Sequence, residues 1–591
     1  MKVNNKIKTV ALGLLGMLAL TSCNDFLTIY PTDKTIGEDY WKSKNDVNSS
    51  KAAAYQAMLA YNCQERAIIW GAFRSDELCQ TEGYTNENLR NINAINLLPT
   101  NSYNSWGDFY TVINRCNQVL AHAPEVLQND PEFLEGDYNE VRAEMLALRS
   151  LAYFYLVRTF RDIPYSTEAF ENDNQFMKLP QQSPDSVLAK CIADLQESEK
   201  YIMRSGAYGV FDWRNKGYMT SEAVWALLAD IYLWRGSMNH DNNDYEQCVA
   251  YCNKVIESKK AFYAANYKDN INIGGKEEEV PLLNRGSAFA QIFVMGNSYE
   301  SILEWPYDGT NNANTAEEDY YYKNGENGTV SRLMATKLFA IVDNNANTDA
   351  AANFYQSEKD TRYWDNCYSV GSADATQLSI RKLVTTFASV SYNSSNKRVS
   401  EAKPTSMGSY KTWSQHWIVY RLTDVMLMKA EALTALASGD DDAANLQSAF
   451  NLVKAVNDRS MDYSSYTSGD SLTFKTFNTK EKMEYLVLAE RERELCFEGH
   501  RWYDLVRFAY RHMTGVNSKA LLADQQSWPA IYSKMTDLVK RKYESGGDAV
   551  SYKLKSEPFF YWPIQESQIK VSQGALKQNP VYKQEETVVK N

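Results

Sequence analysis

Apolar residues recur three and four positions apart over long stretches of this chain, the period of a helix with one buried face. The longest such run is VRAEMLALRSLAYFYLVRTF, residues 141–160, followed by a loop holding Pro164 and Pro180. Ser183-Pro184-Asp185 then opens a second helix reaching about Tyr201, because a proline in the first turn lacks only an N–H that would be unpaired anyway. The same two-helix plan returns in residues 221–236 with 245–258, and in residues 421–439 with 442–456. An earlier pair is expected at Val47–Tyr61 with Trp106–His122. In the first helix of the three clear pairs, a small residue stands three before a bulky one: Ala152 and Tyr155, Ala229 and Tyr232, Ala430 and Leu433. That spacing lets a partner helix approach and wedge, as in tetratricopeptide-like helical pairs. Trp225 and Trp234 fall on one of these helices and are expected in the core.

Between the pairs the periodicity lapses. Residues 76–105 and 262–415 are rich in polar residues and tyrosine, with only short helix or strand candidates such as VSRLMATKLFAIV and LSIRKLVTTFASV. Loops this long are functional or disordered, and Trp305, Tyr307, Tyr320, Tyr321, Tyr322 and Trp364 argue against disorder. The predicted fold class is mainly α: tetratricopeptide-like helical pairs as scaffold, a large irregular loop-rich ligand-binding region, and a few short strands. The expected divisions are 1–22, 23–260, 261–415 (the aromatic-rich ligand region) and 416–591.

The first division reads as a secretory signal peptide. Lys2, Lys6 and Lys8 precede an apolar run, Val10 to Leu20, that is too short to span a bilayer. Leu20-Thr21-Ser22-Cys23 then has the form of a lipobox, with Cys23 expected to carry the lipid anchor. Eight further cysteines are scattered without a CxxC pair. Cys248 and Cys252 stand one turn apart, but with no histidine nearby they read as small buried residues.

A net charge of -12 argues against nucleic acid as a partner, since no basic stripe is present to neutralise phosphates. Tyrosine is unusually abundant, with 40 residues beside 13 Trp and 22 Phe, and a flat apolar face with a hydroxyl suits wet binding surfaces. Catalytic signals are weak. The five histidines form no HExxH or HxH, and no nucleophile elbow, P-loop or dinucleotide fingerprint occurs. Glu490, Arg491, Arg493, Glu494, Glu498, Arg501, Asp504 and Arg507 place carboxylates on one helical face, but the interleaved arginines keep them ionised and favour structural ion pairing. The chain is read as no enzyme, with no metal and no cofactor.

Six ordered segments are similar to the SusD/RagB family. Asp25-Phe26-Leu27 with Pro31 follows Cys23, and FYTVINRCNQVL (109–120) resembles an early family helix. ALRSLAYFYLVRTFRDIPY (147–165) and VYRLTDVMLMKAEAL (419–433) resemble its most recognisable helices. ERERELCFEGHRWYDLVRF (490–508) and the tail FFYWPIQESQIKVSQGALKQNPVY (559–582) complete the set. Two departures are Ile564-Gln565, where the family usually has Ile-Pro, and Arg161, where a glycine is common.

The resemblance implies a nutrient-binding lipoprotein anchored at the outer membrane and facing the cell exterior. It would capture oligosaccharides and deliver them to a SusC-like TonB-dependent transporter; the alternatives are a peptide-capturing member, a surface glycosidase, or a protein-interaction scaffold. Family sites draw on the early loop and the middle insertion, so the resemblance adds Asp76, Tyr84 and Arg90 as ligand candidates. Trp41, Trp106, Trp417, Trp502 and Trp562 fall in or beside family motifs. Of the remainder, Trp213, Trp364 and Trp413 lie in polar loop contexts that suit a sugar-stacking platform. Each retains the alternative of a loop aromatic buried beneath its own segment.

Overall fold

Helical hairpins form where the period predicts them. In the computed structural model α1 is Lys44–Met58, α2 Gly107–Asn129, α3 Glu135–Phe160, α4 Pro184–Ser198, α5 Ser221–Asn239 and α6 Asn242–Asn266. Later come α7, Leu422–Leu436, α8, Ala443–Ser460, α9, Lys480–Leu495, and α10, Arg501–Arg511. The structure describes residues 40–171, 179–266, 272–274, 280–322, 331–340, 354–357, 359–367, 378, 380–382, 386–392, 399–406, 413–462 and 471–582. Each helix packs on its hairpin mate, and α6 packs on α7, so the pairs stack side by side. Ala152, Ala229 and Ala430 are fully buried at the close approaches. The fold is therefore mainly helical, as the periodicity predicts. Trp234 lies in the core. Trp225, expected there too, is only half-buried at the edge of α5, where its indole N–H donates to Glu199 at 2.7 Å.

Strands are short and occur as two-stranded antiparallel pairs among the described residues. One pair matters for the site. β1, Ser301–Trp305, runs against β2, Trp417–Arg421, with Trp305 opposite Trp417 and Ile418 opposite Glu304. Every residue of both strands is buried, and β2 leads directly into α7. The irregular middle of the chain is thereby fastened to the helical scaffold.

The charged cluster on α9 and α10 is buried and ion-paired. Glu494 meets Arg362, Arg421 and Arg459, at 2.9, 2.6 and 2.5 Å. Arg491 bridges Asp424 and Asp504, each at 2.9 Å, and Arg507 bridges Glu431 and Asp504. Burial opposes ionisation of Glu494, but the guanidinium groups of Arg459, Arg421 and Arg362 hold its carboxyl well below the usual range. These groups tie helices together.

Arg161, at the end of α3, adopts φ +65°, a conformation natural to glycine. Its fully buried side chain offsets that cost by reaching Glu557 at 3.0 Å, Asp162 at 2.8 Å and the Asn517 carbonyl at 2.6 Å. Cys248 and Cys252 are buried on α6 with sulfurs 4.0 Å apart.

Candidate functional site

A cavity of about 550 Å³ opens where α1 and α3 meet the β1–β2 pair, within the size range of small-molecule sites. Tyr55 and Met58 come from α1, and Leu148 and Leu151 from α3. Trp305 ends β1, and the chain continues as Pro306-Tyr307-Asp308 along the rim. Trp213 and Tyr218, which flank the one-turn helix Arg214–Gly217, line the cavity too.

The aromatic rings are set by their neighbours. Tyr218 stacks on Tyr55, with centroids 4.5 Å apart, and Trp213 meets Tyr218 edge-on at 5.3 Å. Tyr55 is fixed from behind: its hydroxyl donates to Glu144 at 2.7 Å and accepts the Met219 N–H at 3.0 Å. Tyr307 donates to the Leu59 carbonyl at 3.3 Å. Trp213 is 47% exposed, whereas Trp305 is 3% exposed and forms part of the inner wall. Gly217 is required beneath Trp213, because a Cβ there would stand 2.7 Å from the indole ring.

Polar groups complete the lining. Asp308 binds its own loop: one carboxylate oxygen accepts the N–H groups of Thr310, Asn311 and Asn312 at 2.8, 2.8 and 3.0 Å. The Asn312 and Thr310 N–H groups hold the Asp308 carboxyl down at about 2. Asn311, Asn312 and the exposed Gln56 bring side-chain amides to the rim. His416 donates through Nδ1–H to Glu304 at 2.6 Å, which also accepts the Asn297 N–H at 2.9 Å. Burial opposes ionisation of Glu304, but the His416 ring and these hydrogen bonds hold its carboxyl below the usual range. The His416 ring also lies against Gly296, at φ +67°, where a Cβ would come within 2.6 Å of it. The result is an aromatic slot with neutral amides at its rim. Flat apolar faces with hydrogen-bonding edges match a sugar ring, which has C–H faces and an equatorial belt of hydroxyls.

Comparison with known proteins identifies the family. Residues 221–582 match the model described as the SusD family, and residues 25–233 match one described as starch-binding associating with outer membrane. The chain belongs to the SusD family. A SusD-like protein, P38, of Formosa agariphila is 26% identical over 91% of this chain and 98% of its own. A SusD superfamily protein of Bacteroides vulgatus superposes with a TM-score of 0.62 at 18% identity, covering 92% of this chain and 100% of that one. A structure described as a laminarin binding SusD-like protein gives 0.58 at 20% identity, with 92% and 100% covered. These likenesses show the fold.

Within this SusD-family chain, the cavity takes up one of the sequence candidates, Trp213. Two other candidates, Asp76 and Trp364, lie buried away from the cavity. Asp76 is fully buried, and both its oxygens are engaged by Arg501 at 2.7 and 2.9 Å, so it belongs to the scaffold. Trp364 lies on the short helix Thr361–Cys367, is 7% exposed, and packs edge-on against Tyr363. The polar look of its segment misleads because Arg362, its neighbour, is itself buried in ion pairs with Asp360, Glu490 and Glu494.

Trp413 is half-buried at φ +62°, its carbonyl accepting the Asn314 N–H at 2.9 Å; it stands three residues before His416 but does not line the cavity. Tyr84 is half-buried with the Arg332 guanidinium 6.0 Å from its ring, and Arg90 is exposed on the helix Glu87–Asn93. Neither lines the cavity. Cys23 lies outside the described residues.

Sequence reasoning missed Tyr55, Tyr218, Trp305, Tyr307, Asn311, Asn312 and His416. The segment WPYDGTNN carried a usable signal, an aromatic strand end followed by an Asp-initiated turn rich in Asn.

Proposed function

We propose that this SusD-family protein is a surface lipoprotein that captures oligosaccharides in the Trp213–Trp305 slot. It then passes them to a SusC-like TonB-dependent transporter in the outer membrane. The observation that carries this reading is the slot itself: five aromatic rings, Tyr55, Trp213, Tyr218, Trp305 and Tyr307, around about 550 Å³, with Asn311, Asn312 and Gln56 at its rim. A laminarin-binding relative of the same fold supports a glycan as the ligand class. The family description of association with the outer membrane supports the location. Cys23, placed by the lipobox, would be the anchor.

The same slot favours binding over hydrolysis. Glycoside cleavage uses two carboxyl groups facing each other across the bond at about 5–10 Å. Among the described residues lining the cavity Asp308 is the one carboxylate, and its loop occupies it. The test is a glycan array followed by chromatography of the captured oligosaccharide. The expected result is saturable capture with the oligosaccharide recovered intact. Shortened products would assign an enzyme instead, and capture of peptides alone would replace the ligand class.

A further inference from the structure

Beside the slot, the loop that leads into Trp213 presents Val210 and Phe211 to solvent, and Phe211 is 75% exposed. Single exposed apolar residues are ordinary on protein surfaces. This ring differs in how firmly its backbone is held. Successive turns close the loop, with the Gly209 N–H on the Gly206 carbonyl and the Asp212 N–H on the Gly209 carbonyl, both at 3.1 Å. The buried Asn215 side chain fastens it from within, accepting the Gly206 N–H at 2.7 Å and donating to the Gly209 carbonyl at 2.5 Å.

From the other side, the Asn297 side chain donates to the Phe211 carbonyl at 2.9 Å. The Asn297 backbone N–H donates in turn to Glu304, the carboxylate that holds His416 in the cavity wall. Asn297 sits at φ +50°, a left-handed conformation that asparagine tolerates better than most residues. The backbone of Phe211 and the wall of the slot thus share one hydrogen-bonded frame. Met295, 49% exposed, lies two residues before Asn297 on the same frame.

We infer that Phe211 is an outer subsite, on which a further sugar unit of the same oligosaccharide packs after the chain leaves the slot past Trp213. This rests on the glycan-binding reading of the slot. A ring whose backbone is held in advance, with only two side-chain torsions left to order, loses little entropy when a ligand settles on it. The ligand class that can use two aromatic platforms on one backbone frame is a linear oligosaccharide whose repeating units each present an apolar C–H face. Affinity should then climb with chain length until a unit reaches Phe211, and level off beyond it.

An array of di- to octasaccharide ladders of neutral glucans, mannans, xylans and galactans selects the ladder that wild-type protein captures. Calorimetric titration along that ladder then compares wild type, Phe211→Ala and Phe211→Trp, with thermal melts checking that each variant is folded. Phe211→Ala is expected to bind the shortest captured member as wild type does, and to lose about two- to tenfold on the longer ones. Phe211→Trp is expected to restore the gain. A Phe211→Ala profile with its length dependence intact overturns the outer subsite and leaves the slot reading standing; the exposed ring would then serve a protein contact. An equal loss on short and long members overturns it as well. Failure of wild type to capture any ladder overturns both readings.

Discussion

A methyl group at Gly217 would stand 2.7 and 2.8 Å from two atoms of the Trp213 ring and 3.1 Å from Pro306. The ring is 47% exposed and so has room to move, and Gly217→Ala should tilt it out of the slot. The expected outcome is about a tenfold loss of affinity for the captured oligosaccharide, read by titration, although Gly217 itself offers a ligand nothing. Trp213→Ala should lose as much directly, with little change in melting temperature because the ring is 47% exposed. Trp364→Ala should behave oppositely. Its ring is buried, so truncation is expected to cost about 3–5 kcal/mol of stability while the affinity of the folded protein is kept. A thermal melt beside each titration separates the cases. Loss of binding without loss of stability in Trp364→Ala would refute this assignment. Arg161 shows the same residue-scale logic: a glycine-like backbone is held in place by what its guanidinium reaches.

At the scale of elements, α9 is held by charge as much as by apolar packing. Glu494 is shared among Arg362, Arg421 and Arg459, which reach it from the Thr361–Cys367 helix, the end of β2 and the last turn of α8. Its folded-state carboxyl titrates well below the usual range, although burial works against that. A depressed carboxylate contributes stability that is present above the unfolded value, about 4.3, and is lost as pH falls through the folded value. Glu494→Gln should therefore destabilise by about 3–5 kcal/mol at neutral pH, leaving three guanidinium groups short of a counter-charge. The gap to wild type should narrow in acid, where the wild-type carboxylate also takes up its proton. Denaturant unfolding at about pH 7 and about pH 3 measures both. A gap that does not change with pH would show that Glu494 acts through packing alone.

For the whole molecule, the slot is assembled from stretches far apart in the chain. Tyr55, Leu148, Trp213 and Tyr218 come from the stretch that matches one family model, whereas Trp305, Asn311 and His416 come from the stretch that matches the other. If the lipobox is used, the slot acts at a membrane surface through several acyl chains on Cys23, which bind far more firmly than one. Cys23→Ala is then expected to leave a folded, glycan-binding protein that no longer fractionates with the outer membrane. Retention of that variant after a salt wash would remove the anchor from the proposal. Gentle detergent extraction of wild type should also recover a large β-barrel partner in stoichiometric amount, and repeated recovery of this chain alone would count against delivery to a transporter.

The helical scaffold was legible because its information is local. A period of 3.6 with small residues at the crossings specifies hairpins α3/α4, α5/α6 and α7/α8 from neighbouring positions alone, whereas α1 and α2 are periodic but lie on either side of residues 59–106. That the Glu and Arg of α9 and α10 serve as ion pairs was legible from their interleaving, but most of their partners, such as Arg362, Arg421 and Arg459 on Glu494, come from other elements. The binding slot was not local. Trp305 is placed by Trp417, 112 positions away, and Asp76 is taken out of reach by Arg501, 425 positions away. Trp213 and Trp364 sit in equally polar stretches of sequence. What separates them is that Arg362, beside Trp364, finds Glu490 and Glu494 and is drawn inside with its neighbour, whereas Arg214, beside Trp213, finds Asp212 two residues away and stays at the surface. A polar segment can be buried only when distant partners satisfy its charges, and tertiary structure alone supplies those partners.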